Sequence, residues 1–122
     1  MNLHDIIERF TLASGMNRSE VSRYLPLILD CKGFFEEKLA DNLSALQRKR
    51  AAHACAVYAY YRVCMMLRDG GLESFRAGDV QISTAKRTEV LEAARRMWRE
   101  ERDMIADIAD FSDDFAIRSV DV

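Results

Sequence analysis

The side chains in this chain with the types needed for metal or nucleophilic chemistry are two histidines, His4 and His53, and three cysteines, Cys31, Cys55 and Cys64. A nucleophile needs a thiol or hydroxyl beside a base, and a zinc site needs paired ligands at short intervals. The histidines fall on different helices of the sequence reading. An odd number of cysteines at these spacings fits neither a disulfide framework nor a zinc site. A site joining His4, His53 and Cys55 would have to be assembled by the fold. The simpler reading is a half-buried histidine with one hydrogen bond beside an Ala/Cys core run. Reduced thiols in a helical core point to a reducing cytoplasm, at least during folding.

The carboxylates offer no better start. Glu36–Glu37 and Asp113–Asp114 are adjacent pairs, and neighbours in sequence do not share a helix face, so neither resembles an acid/base dyad. "RDGGLES" has the glycines of a phosphate loop without its lysine and following hydroxyl. The inventory therefore leads to the expectation of a protein that is not an enzyme and takes no cofactor or metal.

Two basic clusters carry the alternative. "QRKR" holds Arg48, Lys49 and Arg50, and "ARRMWRE" holds Arg95, Arg96 and Arg99. A basic helix face can bind phosphates, so a small helical DNA- or RNA-binding regulator is one reading. The second cluster is interleaved with Glu92, Glu100 and Glu101, the pattern of a solvated, salt-bridged face. The net charge of −2 also argues against a protein devoted to neutralising phosphates.

The elements that would position these residues read as helices. In 122 residues there is room for one domain and one core, 49% of the chain is hydrophobic and 31% charged, and one Pro and five Gly are few for an all-β fold. Leu3, Ile6, Ile7 and Phe10 make one side of a helix over 3–14, with Gly15 placed to end it. Asn17 and Glu20 form a capping-box pattern for a second helical region, whose face continues through Val21, Tyr24, Leu25, Ile28, Phe35 and Leu39. There Pro26 either kinks one helix or lies in the first turn of a new one; the second is favoured. Asn42 or Ser44 caps the next helix, and Gly70–Gly71 ends it. From Ala51 to Leu67 it is apolar nearly all round, so it is the central helix of a bundle or also meets a neighbouring subunit.

Ser83 or Thr84 caps a long last helix in which Val90, Ala94, Met97, Glu101, Ile105 and Ile108 keep near-heptad spacing, widened by Leu91 and Trp98. Glu92 precedes Arg96 by four residues, a favourable ion-pair orientation. The amphipathic, acidic start "MNLHDIIERF" is unlike a signal peptide, and no run reaches the roughly eighteen apolar residues of a membrane span. The expected architecture is all-α, a single helical domain over 1–122. It is a four-helix arrangement with a short extended ribbon before the last long helix and an extended C-terminal arm over 111–122.

Two segments fit no helix. "SFRAGDVQIS" places Phe75, Ala77, Val80 and Ile82 around Gly78–Asp79, and "FSDDFAIRSVDV" alternates near Phe115 and Ile117. A ribbon of this size cannot fold alone in water. Either its apolar side plugs the end of the bundle, or the ribbon and the tail pair with another molecule.

The order of an Ala/Tyr-rich helix ("AAHACAVYAYYRVCMML"), then "SFRAGDVQIS", then a long helix and a tail like "DDFAIRSVDV" resembles the small head–tail connector (adaptor, head-completion) proteins of tailed bacteriophages and prophages. The match covers roughly residues 40 to 122. The resemblance implies a non-catalytic structural protein of the virion neck, docking as a ring of its own subunits beneath the portal protein and meeting other neck and tail-completion proteins. It implies subunit or partner contacts at Phe75, Gly78, Asp79, Val80 and Ile82, and along an arm with Phe111, Phe115, Ile117 and Val120. It further implies residence in the bacterial host cytoplasm during assembly and in the virion neck afterwards, without membrane binding or tight nucleic-acid binding. A near-neutral charge is compatible with a ring that surrounds DNA without gripping it.

Overall fold

The computed structural model describes residues 1–68 and 84–111. The fold is all-α: among the described residues there are five helices, α1 (Leu3–Ser14), α2 (Arg18–Arg23), α3 (Leu25–Lys38), α4 (Ala45–Arg68) and α5 (Thr84–Met104). The expected four-helix arrangement is met with its second helical region divided in two.

Local chemistry sets most boundaries. Asn2 caps α1 by accepting from the His4 amide, and Gly15 ends it in the left-handed region at φ 71°, donating to the Thr11 carbonyl. Asn17 and Glu20 form the expected reciprocal capping box on α2: the Glu20 amide donates to Asn17 Oδ1 at 3.0 Å, and Glu20 Oε1 accepts from the Asn17 amide at 3.1 Å. Pro26 lies in the first turn of α3, where a missing N–H costs no helical bond. For α4 the cap is Ser44, not Asn42. Ser44 Oγ accepts from the Gln47 amide at 3.1 Å, and Gln47 Oε1 accepts from the Ser44 amide at 2.8 Å. Asn42 instead takes a left-handed turn at φ 61° ahead of the cap. Gly70, Gly71 and Ser83 lie outside the described residues.

Helix α4 is the axis of the bundle, packed by α1, α3 and α5. From Ala51 to Leu67 only His53, Tyr60, Arg62, Met65 and Met66 escape full burial. Residues of the same chain thus cover α4 on almost every side. Helix α5 runs antiparallel to it, because Arg95 meets Tyr61, Trp98 meets Tyr58 and Glu101 meets His53. The buried stripe of α5 is Leu91, Ala94 and Trp98, while Met97 is exposed and Val90 half-buried. Of the expected near-heptad residues Ala94, Ile105 and Ile108 are buried, as are Leu91 and Trp98, expected to widen the stripe; Met97 is the exposed member.

Beyond α5 the chain turns back at Ile105–Ile108 and lies against the end of α3. Leu39 and Ala109 form an antiparallel bridge, with the Ala40 amide donating to the Ile108 carbonyl at 2.8 Å and the Asp110 amide to the Lys38 carbonyl at 3.0 Å. This return brings Phe111 into the core.

Candidate functional site

The strongest convergence of side chains lies where α3, α4, α5 and the returning chain meet. Phe35, Tyr58, Trp98 and Phe111 form an aromatic cluster, with ring centroids 4.9 Å apart for Phe35–Phe111 and 4.8 Å for Tyr58–Trp98. Phe111 is 4% exposed. It was expected in an arm reaching a partner, and this is corrected: its ring also meets Trp98 edge-on at 5.6 Å and so belongs to the core of its own chain. The cause is the Leu39–Ala109 bridge, which ties the chain down two residues earlier.

Outward from this cluster the surface becomes polar and aromatic together. The half-buried Phe34 stacks on Tyr58 with centroids 5.6 Å apart and meets Phe111 at 5.8 Å. Lys38 Nζ lies over the Phe34 ring at 5.6 Å, and the Arg62 guanidinium over the Tyr58 ring at 6.0 Å. Two cations thus flank a pair of stacked rings. Sequence reading missed this group because its members come from two helices and adjoin a third segment. The only signals were the Phe34–Phe35 pair and Arg62, the one charge on the apolar run of α4.

The chemistry-bearing residues do not assemble. His4 pairs with Glu8 along α1 at 2.6 Å, and His53 Nε2 faces Glu101 across the α4–α5 seam at 3.7 Å. His53 Nδ1 is buried and has no hydrogen-bond partner among the described residues. Among these residues no three His, Cys, Asp or Glu side chains are grouped to hold a metal ion. All three thiols are buried. Burial, reinforced by the nearby Cys31, pushes the Cys55 thiol far up, and burial pushes Cys64 up to about 11. Neither supplies a thiolate near neutrality. Burial likewise raises the Tyr60 phenol, whose environment includes the Cys64 thiol.

The six basic residues of the alternative reading fall into two separate groups. Arg48, Lys49 and Arg50 are exposed on the first turns of α4, where Arg48 Nη1 donates to the Leu43 carbonyl at 3.1 Å. Arg95 is turned inward: Nε donates to the Tyr61 hydroxyl at 3.3 Å and Nη1 pairs with Glu92 at 3.1 Å. That hydrogen bond raises the Arg95 pKa further. Glu92 therefore pairs with Arg95 rather than with Arg96 as expected. Arg96 and Arg99 are exposed. Since 95–99 lies beside the second half of α4, the two groups stand roughly 15 Å apart along its axis at 1.5 Å per residue. A shallow cleft of about 350 Å³ beside the first group is lined by Met1, Asn2, Asp5, Ala45, Arg48 and Lys49, charges of both signs.

Of the residues expected to contact subunits or partners, Phe75, Gly78, Asp79, Val80, Ile82, Phe115, Ile117 and Val120 lie outside the described residues. No helix among the described residues is long and apolar enough to cross a membrane. Comparison of the chain with protein-family models, with curated proteins and with solved structures finds no match.

Proposed function

We propose that this protein is a structural component of a phage or prophage neck, a head–tail connector that docks as a ring on the portal and does no chemistry. The observation that supports the reading is the order of elements. An Ala/Tyr-rich helix forms the axis of the bundle, the segment 74–83 follows it, and a long helix and a tail complete the chain. This is the order on which the resemblance over residues 40–122 rests. In this reading the bundle is a rigid body and the segments 74–83 and 112–122 supply contacts to neighbours and portal.

The test is capture of the tagged chain from cells producing the phage, with co-purifying proteins identified by mass spectrometry. The proposal expects a portal subunit or neck protein in stoichiometric yield. Recovery of nucleic acid, or of unrelated host proteins alone, would contradict it. The regulator reading predicts salt-dependent duplex binding through Arg48, Lys49, Arg50, Arg95, Arg96 and Arg99, and absence of binding at low salt removes it. The inward engagement of Arg95 weakens that reading.

A further inference from the structure

We propose that one edge of the α4–α5 seam, marked by Leu46, His53, Tyr60, Met97, Glu101 and Met104, is the contact face for a second copy of this chain, packed about a two-fold axis parallel to the seam.

The face follows from helical spacing. Glu101 meets His53 across the seam, and Met97 and Met104, four residues before and three after Glu101, share its side of α5. Leu46 and Tyr60 lie seven residues either side of His53 and share its side of α4. Both helices thus present the same edge. Among the described residues Leu46 is 61% exposed, Met104 60% and Met97 36%, while Tyr60 and His53 are half-buried. The apolar groups that the bundle leaves uncovered on α4 and α5 therefore gather along this edge.

Period and charge select a second copy. Leu46, His53 and Tyr60 repeat at seven residues on α4, as do Val90, Met97 and Met104 on α5, with Val90 half-buried. A seven-residue ladder keeps facing further helices that wind with it, which is the packing of antiparallel four-helix bundles. At the middle of the face stand one base, His53, and one acid, Glu101. Within the chain they are 3.7 Å apart, longer than a hydrogen bond. Rotation about an axis along the seam lays α4 of one copy over α5 of the other at the same level. Each His53 then meets Glu101 of the partner subunit, and every adjacent helix pair is antiparallel. An unrelated partner would have to bring a matching acid and base; a second copy carries them by symmetry.

The extent of the face sets the strength. Leu46 to Tyr60 and Val90 to Met104 each run about 21 Å at 1.5 Å per residue, and two helices about 10 Å apart give a face roughly 20 Å square. That is about 400 Å² per copy, below the standard size of specific complexes, so dissociation in the range of about 10–100 μM is expected. A two-fold pair is closed, unlike the head-to-tail contacts of a ring. The pairing is independent of the neck reading and belongs to the free chain.

Sedimentation equilibrium of the full chain between about 1 and 300 μM tests this, with helical circular dichroism as the measure of an intact bundle. The chain should pass from monomer to dimer across that range. Met97→Glu/Met104→Glu, at exposed positions, should keep the helical signal and weaken association by about tenfold or more. Glu101→Lys and His53→Glu should each weaken self-association, and an equimolar mixture of the two should recover it, because only the two-fold contact pairs acid with base across the copies. A monomer at the highest concentration overturns the proposal. So does a dimer indifferent to the methionine variant, or a mixture that associates no more strongly than its components. Each failure leaves the portal-capture test of the neck reading untouched.

Discussion

Helices α4 and α5 lie antiparallel along one seam, but they bury themselves in opposite ways. α5 hides a single stripe, Leu91, Ala94 and Trp98, and exposes Glu92, Ala93, Arg96, Arg99 and Glu100. α4 hides nearly every side from Ala51 to Leu67, with Met66 its exposed exception. A helix apolar all round needs cover from several directions. Here α1, α3 and α5 of the same chain provide it. The lesson concerns partners: the apolarity of α4 calls for no neighbouring subunit. In the neck reading, ring contacts have to come from the outer helix faces or from the segments 74–83 and 112–122.

The largest effect expected is at the point where both helices share the aromatic cluster. Phe111→Ala should lower unfolding free energy by about 3–5 kcal/mol in a urea titration and weaken the near-ultraviolet signal of Trp98. A loss below about 1 kcal/mol would mean that Phe111 is not part of the core.

The thiols of α4 sharpen the contrast through pH. Cys64 moves from an ordinary 9.0 up to about 11, and Cys55 is raised further, both chiefly by burial. Above pH 9 the unfolded chain loses these protons first and so binds fewer than the native state. Stability should therefore fall as pH rises from about 9 through 11, and Cys64→Ala, which removes one of the two thiols, should make that fall shallower. A native-state stability independent of pH across this window would contradict the burial of the thiols.

Smaller effects separate the two helices directly. Ala54→Leu, fully buried on α4, should cost about 1–3 kcal/mol through overpacking. Ala93→Leu, exposed on α5, should stay within about 0.5 kcal/mol. Equal costs at the two positions, measured by thermal melts, would erase the distinction. The two described glycines give the finest contrast. Gly15→Ala forces a side chain into φ 71° and should cost about 1 kcal/mol, whereas Gly33→Ala, where an added Cβ meets nothing within 4 Å, should stabilise α3 by about 0.5–1 kcal/mol.

Much of this was legible in the sequence because its causes are local. The bounds of α1, the Gly15 cap, the Asn17–Glu20 box and Pro26 in a first turn each follow from residues within one helical turn. The α5 stripe is legible at Leu91, Ala94 and Trp98 but not in the exposure of Met97, because i+3 and i+4 spacings overlap and only the partner Tyr58 selects Trp98 over Met97. Phe111 was misplaced for a similar reason. Its neighbours Phe34 and Phe35 sit on α3, and the bridge that delivers it pairs Leu39 with Ala109. No short-range pattern marks such a contact. The ring-flanking cations Lys38 and Arg62 escaped notice on the same grounds.

The proposed neck role requires that residues 1–111 fold without residues 112–122 and that capture of a portal subunit depends on the latter. The measurement that tests it most directly compares the full chain with one ending at Phe111, following helical circular dichroism on heating and portal capture side by side. The shortened chain should keep its helical signal and melt within a few degrees of the full chain, but no longer retain the portal subunit. A shortened chain that unfolds, or one that still captures the portal in full yield, would contradict it.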